Sequence, residues 1–254
     1  MAHERATIGG YSIMDSFIPY GQQNITEEDI NAVVEVLRSP KITQGPAIEG
    51  FEQTVANYCG VKYAVAVSSA TAGLHIACLA LELGKNDILW TSPNTFVASA
   101  NCGRYCGATV DFVDIDANTY NLSVDALETK LITAKAEGKL PKVVVPVHLA
   151  GQSCEMESIG DLAKEYGFRV IEDASHAIGG EYQGKPVGCC EYSDMAVFSF
   201  HPVKIITTGE GGMVLTNQEE LYQKLIRLRT HGFSRDPTWM TETSLGDLYY
   251  QQLE

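Results

Sequence analysis

Lys204 is the residue of this sequence best placed to attack a carbonyl. It stands in the stretch Phe198-Ser199-Phe200-His201-Pro202-Val203-Lys204-Ile205-Ile206. With Val203, Ile205 and Ile206 as neighbours, its amine is expected to be desolvated, which lowers an amine's pKa and favours the neutral, nucleophilic form. A lone lysine in a loop is more often simply solvated, and that alternative stays open here. Ser199 offers a hydroxyl to an anion, and Gly209-Glu210-Gly211-Gly212 supplies a turn back toward the core.

Three other stretches carry chemistry. Ser68-Ser69-Ala70-Thr71-Ala72-Gly73 follows an apolar run and opens a helical pattern. Small residues there let a backbone approach an anion, and a helix start offers free N–H groups. An ordinary serine N-cap explains the same residues. In Ile171-Glu172-Asp173-Ala174-Ser175-His176 an apolar run ends in acids. A carboxylate so placed can bond a protonated ring nitrogen and keep a heteroaromatic cofactor electron-withdrawing. A helix cap is again the plainer reading. Thr91-Ser92-Pro93-Asn94-Thr95-Phe96 could lay Phe96 against such a ring, or Phe96 could belong to the core. Asp173, Ser175 and His176 lie too close together for a hydrolase triad, and no G-x-S-x-G elbow is present. The glycines at 209–212 lack the G-x-G-x-x-G spacing of a dinucleotide site.

The elements that must position these residues alternate in type. Short β-branched runs at 63–67, 88–91, 109–113, 143–147, 169–171, 195–199 and 213–216 predict seven strands. Helical patterns lie between them, among them 72–83, 124–137 and 158–166. Val143, Val144 and Val145 show no alternation, so their strand should be covered on both faces. Pro146 should end it. Ahead of the first strand, Asn24 or Thr26 can cap a helix with Glu27, Glu28 and Asp29 in its first turn. Its apolar face would be Ile30, Val33, Val34 and Leu37, and it should stop before Pro40. The alternation predicts an α/β fold with a mostly parallel sheet, whose ligands bind beyond the carboxyl ends of the strands.

Composition narrows the function classes. The chain has 254 residues, 45% apolar and 20% charged, with a net charge of −14. A nucleic-acid or anionic-membrane partner is therefore disfavoured. The densest cationic cluster, Lys224, Arg227 and Arg229, reads as one solvated helix face. No apolar run approaches the roughly 20 residues that span a bilayer, and the first 16 residues lack a signal-peptide pattern. The seven cysteines match no zinc spacing. No metal is expected, and a reduced, cytoplasmic setting is.

Taken in order, Thr43-Gln44-Gly45, Ser69-Ala70-Thr71, Glu172-Asp173, and Phe198-Ser199-Phe200-His201 leading to Lys204 and Gly209-Glu210-Gly211-Gly212 resemble the sugar aminotransferases named for DegT, DnrJ, EryC and StrS. These are fold-type I pyridoxal-phosphate enzymes, and the resemblance runs from about Ile18 to the end. It implies a seven-stranded large domain over residues 18–254, an N-terminal extension over 1–17, and no counterpart before Glu254 of the family's smaller C-terminal domain. Lys204 would be the Schiff-base lysine and proton carrier. Asp173 would bond the pyridine nitrogen, with His176 near the ring hydroxyl. Ala70, Thr71 and Ser199 would hold the phosphate and Phe96 would stack on the ring. Residues 91–106, 172–180 and 201–208 look most like the branch that makes pseudaminic-acid precursors. That branch aminates a UDP-linked 4-keto-6-deoxy sugar to UDP-4-amino-4,6-dideoxy-N-acetyl-β-L-altrosamine, with L-glutamate as donor. Tyr20, Lys41, Ile42 and Thr43 resemble its substrate contacts, and a homodimer is implied for the full-length protein. The 4-amino-arabinose branch shares the Phe-His-x-x-Lys pattern, and a non-catalytic fragment is the alternative from another class.

Overall fold

The runs of β-branched and small apolar residues pair into one seven-stranded sheet. A computed structural model describes residues 21–234, together with the short strand segments Thr7–Ile8, Tyr11–Ser12 and Gln251–Gln252. Most of the expected extension at 1–17 lies outside the described residues, as does Tyr20. The sheet strands are β1 (Tyr63–Val67), β2 (Ile88–Thr91), β3 (Thr109–Phe112), β4 (Val143–Val145), β5 (Arg169–Asp173), β6 (Met195–Ser199) and β7 (Gly212–Thr216). Their spatial order is β1-β7-β6-β5-β4-β2-β3. The β6–β5, β5–β4, β4–β2 and β2–β3 pairs are parallel, while β7 runs antiparallel between β6 and β1. The mostly parallel α/β sheet read from the sequence is present.

The described residues form seven α-helices: α1 (Glu27–Arg38), α2 (Pro46–Cys59), α3 (Ala70–Ala80), α4 (Ala98–Tyr105), α5 (Val124–Glu137), α6 (Met156–Tyr166) and α7 (Glu219–Arg229). The expected double coverage of β4 holds. Val143 and Val145 pack in a cluster with Leu74, Leu89 and Leu225, whereas Val144 faces Leu127, Leu131 and Ile159. Opposite faces of one strand thus meet different helices. A third cluster joins Val55 and Cys59 of α2 to Phe198, Phe200 and Met213. Gly73 brings α3 close to the sheet: a Cβ there would meet Val197 at 3.0 Å and Val214 at 3.2 Å.

Several boundaries differ from the sequence reading. Strand β4 stops at Val145 because Pro146 cannot donate to the ladder. Strand β5 extends through Glu172 to Asp173, so the acids belong to the strand rather than to a helix cap. Helix α3 starts at Ala70, two residues early, because Ser69 caps it by accepting from Ala72 N. Thr26, rather than Asn24, caps α1 in a reciprocal box with Asp29.

The apolar face read for α1 is present, but α1 buries none of its residues, and Ile30, Val33 and Leu37 are exposed. No described element packs closely over that face. The solvated cationic face on α7 is also corrected. Arg229 pairs with Glu52, and Lys224 pairs with Glu82 at 2.7 Å and Glu220 at 3.1 Å. Helix α2, missed in the sequence, carries its own punctuation: Pro46 at its first position and Gly60, at φ 68°, just past its end. Among the described residues no helix is long and apolar enough to cross a membrane.

Candidate active site

Every cofactor-site residue named from the sequence lines one cavity of about 300 Å³. Lys204, Asp173, His176, Ser199, Ala70, Thr71 and Phe96 all face it. They follow, or close, the carboxyl ends of parallel strands. Along the sheet edge come α3 after β1, Ser199 and Lys204 at and after β6, Asp173 closing β5, and Phe96 beyond β2. The antiparallel strand β7 contributes its beginning to this same edge, where Gly212 lies opposite both Ser199 and Val67.

Asp173 is buried and has polar partners on both oxygens. Ser99 Oγ donates to Oδ2 at 2.6 Å; Ser175 donates to Oδ1 through Oγ at 2.6 Å and through its backbone N–H at 3.2 Å. Lys204 lies across the cavity wall, its backbone N–H bonded to the His201 carbonyl at 2.9 Å. Burial pushes its amine below the usual lysine range, against the opposing pull of Asp173's charge. The expected direction is right and the expected cause holds only in part. Val203, 63% exposed, lines the cavity beside the amine, whereas Ile205 and Ile206, 67% and 50% exposed, do not line it. His176 is lowered too, first by burial and then by the positive charge of Lys204, with Asp173 opposing.

The loop that carries Lys204 is tied at its root. Phe200 N–H bonds the Gly211 carbonyl at 2.9 Å, and Thr208 N–H bonds the Phe200 carbonyl at 3.0 Å. At the start of α3, the N–H groups of Ala70 and Thr71 belong to the first turn and have no carbonyl within the helix to bond. Ser199, buried beside them at the strand end, adds a hydroxyl. Gly212 makes this approach possible, because a Cβ there would sit 2.5 Å from both Ala70 N and Ser69 C. Gly212→Ala is therefore expected to force β7 and the start of α3 apart. The cost should be about 1–3 kcal/mol, read by urea denaturation, together with weaker binding of phosphate.

His148, missed in the sequence, is wholly buried and also lines the cavity. It lies three residues past the end of β4, in the region beyond the strands where ligands of a parallel sheet bind. Its Nε2 lies 2.7 Å from Glu172 Oε2, and Ser193 Oγ donates to the other Glu172 oxygen. Burial opposes charge on this ring, while Cys154 and Glu172 favour it. The backbone N–H of Cys154 points at Nδ1 at 3.1 Å, so Nδ1 accepts and the proton sits on Nε2, shared with Glu172. Asn121 holds the following turn, accepting from Leu149 N–H and donating to the Gln152 and Ser153 carbonyls.

The substrate residues named from the sequence fall elsewhere. Thr43 lines a neighbouring cavity of about 570 Å³, which shares Glu210 and Gly211 with the first. Lys41 and Ile42 are exposed and line neither of these two cavities.

A buried carboxylate, an amine with a lowered pKa and a helix start with free N–H groups meet at one edge of the parallel sheet. The chain belongs to the DegT/DnrJ/EryC1/StrS aminotransferase family, whose profile matches residues 23–248. It is 42% identical over 222 residues to the UDP-4-amino-4,6-dideoxy-N-acetyl-beta-L-altrosamine transaminase of Campylobacter jejuni, covering 87% of this chain and 57% of that protein. Among solved structures it resembles Helicobacter pylori PseC, an aminotransferase involved in the biosynthesis of pseudoaminic acid (TM-score 0.78, 36% identity, covering 88% of this chain and 58% of that one). It also resembles the putative sugar aminotransferase Spr1654 of Streptococcus pneumoniae in its PMP form (TM-score 0.81, 30% identity, covering 94% and 62%). The chain thus spans less than two thirds of the length of these relatives. The family depends on pyridoxal phosphate, and the site fits that group: Lys204 for its carbonyl, Asp173 for its ring nitrogen, Ala70, Thr71 and Ser199 for its phosphate.

Proposed function

We propose that the protein to which this chain belongs transfers an amino group from L-glutamate to a UDP-linked 4-keto-6-deoxy sugar, giving UDP-4-amino-4,6-dideoxy-N-acetyl-β-L-altrosamine. The observation that carries this reading is Lys204, an amine with a lowered pKa, sharing a cavity with a buried carboxylate bonded on both oxygens. Bound there, pyridoxal phosphate supplies a carbonyl that accepts the amino group and a ring that withdraws electrons. Asp173 holds the proton on the ring nitrogen. Lys204, neutral when free, would carry a proton from the amino-bearing carbon to the cofactor in the first half-reaction and from the cofactor to the sugar carbon in the second. Ala70, Thr71 and Ser199 anchor the phosphate, Phe96 covers a ring face, and His176 stands by the ring hydroxyl. Thr43, with Tyr20, Lys41 and Ile42, belongs to the sugar-nucleotide side of this reading. The names of the Campylobacter and Helicobacter relatives support this sugar over the 4-amino-arabinose type. A homodimer is part of the proposal. Phe96, Val203, Ile205 and Ile206 are exposed beside the cavity, an apolar surface that a second copy would cover. A cytoplasmic setting agrees with seven free thiols.

The test has two stages. Borohydride reduction of the chain with pyridoxal phosphate should add the cofactor's mass to Lys204, located by peptide mass spectrometry. Then the chain, and a version extended to the length of its relatives, are given L-glutamate and the UDP-keto sugar. Release of 2-oxoglutarate with formation of the amino sugar by the extended protein is expected. Capture at Lys204 without turnover of this sugar by either form would overturn the substrate, and no capture at all would overturn the aminotransferase reading.

A further inference from the structure

Ser99 is wholly buried in the first turn of α4, on a different element from the carboxylate that it touches. Its hydroxyl lies 2.6 Å from Asp173 Oδ2, 2.7 Å from Thr95 Oγ1 and 3.2 Å from the Phe96 carbonyl. A hydroxyl has one proton to donate and two lone pairs. The shortest of the three contacts is to a charged acceptor, so the Ser99 proton goes to Asp173. Thr95 must then be the donor in its contact with Ser99. The result is a directed chain, from Thr95 to Ser99 to Asp173. Because Ser99 is sealed from solvent, no water competes with either bond, and each polarises the other.

We infer that Thr95 and Ser99 are positioning residues that keep the negative charge on Asp173, and so keep the shared proton on the ring nitrogen of the bound cofactor. This rests on the reading that the cavity holds pyridoxal phosphate. Ser175 serves Oδ1 from the same strand end as Asp173, whereas the Thr95–Ser99 pair arrives from beyond β2. Thr95 is also the neighbour of Phe96, which lines the cavity. The segment that covers a ring face is thereby wired to the carboxylate that bonds the ring nitrogen. Removing the Ser99 hydroxyl strips one charge-assisted bond from Oδ2 and makes the carboxylate a better competitor for the proton. The partition of that proton should move by about tenfold toward Asp173. Removing the Thr95 hydroxyl should move it less, in the same direction.

The experiment loads the chain with ¹⁵N-labelled pyridoxal phosphate and reads the ring-nitrogen resonance in wild type, Ser99→Ala, Thr95→Val and the double variant. Wild type should show a protonated ring nitrogen. Both single variants should shift the resonance toward the unprotonated position. Thr95→Val should add nothing in the Ser99→Ala background, because the chain is already cut there. Should Ser99→Ala not fold, the near-isosteric Thr95→Val at its half-buried position decides alone. An unmoved resonance in the variants, or an equal Thr95→Val shift in both backgrounds, overturns the relay. A wild-type chain that takes up no labelled cofactor would instead count against the proposed function.

Discussion

Lys204→Ala should abolish both covalent capture of pyridoxal phosphate and amino transfer, with turnover falling by at least about 10³-fold. The amine serves twice, as the group that joins the carbonyl and as the base at the reacting carbon, and among the described residues no other lysine lines the cavity. Lys204→Arg keeps the positive charge and should fail as completely, since a guanidinium does not deprotonate. The pH dependence follows from the lowered pKa. Burial favours the neutral amine, so capture should rise with pH and level off below the ordinary lysine value of about 10.4. The same shift bears on stability. A lysine whose folded pKa lies below its unfolded one opposes folding wherever the unfolded amine is charged. The penalty vanishes above the unfolded pKa and is full below the folded one. Lys204→Met, which keeps the length and removes the charge, should therefore raise the melting temperature at neutral pH while capture is lost. A variant that loses capture and also melts earlier would point to damage of the fold instead.

The sheet was legible because its strands are written in runs that only two-sided burial explains. Val143–Val145 and Met195–Ser199 are fully buried on both faces, and no helix period fits them. The cofactor-site residues were legible because a parallel sheet gathers whatever follows its strands, and four short motifs stood at four such places. What escaped depends on contacts between distant segments. The walls around Lys204 come largely from the ends of β1, β2, β4 and β5, with Val203 the one apolar neighbour in sequence that shares them, so the sequence showed only part of the reason for the shift. Ser99 looks like an ordinary helix residue until α4 sets it against Asp173, 74 positions away, with Thr95 on its hydroxyl. His148 looks like one more residue after a proline until Glu172 is found 2.7 Å from its ring. The stripe on α1 has the right period, yet period alone does not say whether a partner exists to cover it.

Asp173→Asn should leave the chain folded and lower amino transfer by about 10²–10³-fold, the usual loss when one preorganised charged partner is removed from a reacting site. The amide keeps the shape of the side chain, and its oxygen can still accept from Ser175 or Ser99. It cannot do both on two oxygens, so one donor loses its partner. Its NH₂ group also turns a donor toward the place where a ring N–H would sit, which favours an unprotonated ring nitrogen and a weaker electron sink. Capture at Lys204 does not need that proton and should survive. The expected pattern is therefore retained borohydride fixation, lost turnover, and an unprotonated ¹⁵N resonance. Asp173→Glu carries the charge but is one methylene longer in a buried site bounded by Ser99 and Ser175. It should restore the protonated resonance only in part, because the carboxylate can no longer meet both hydroxyls and the ring at once. Full turnover in Asp173→Asn would mean that electron withdrawal does not pass through this carboxylate, and the role assigned to the end of β5 would fall with it.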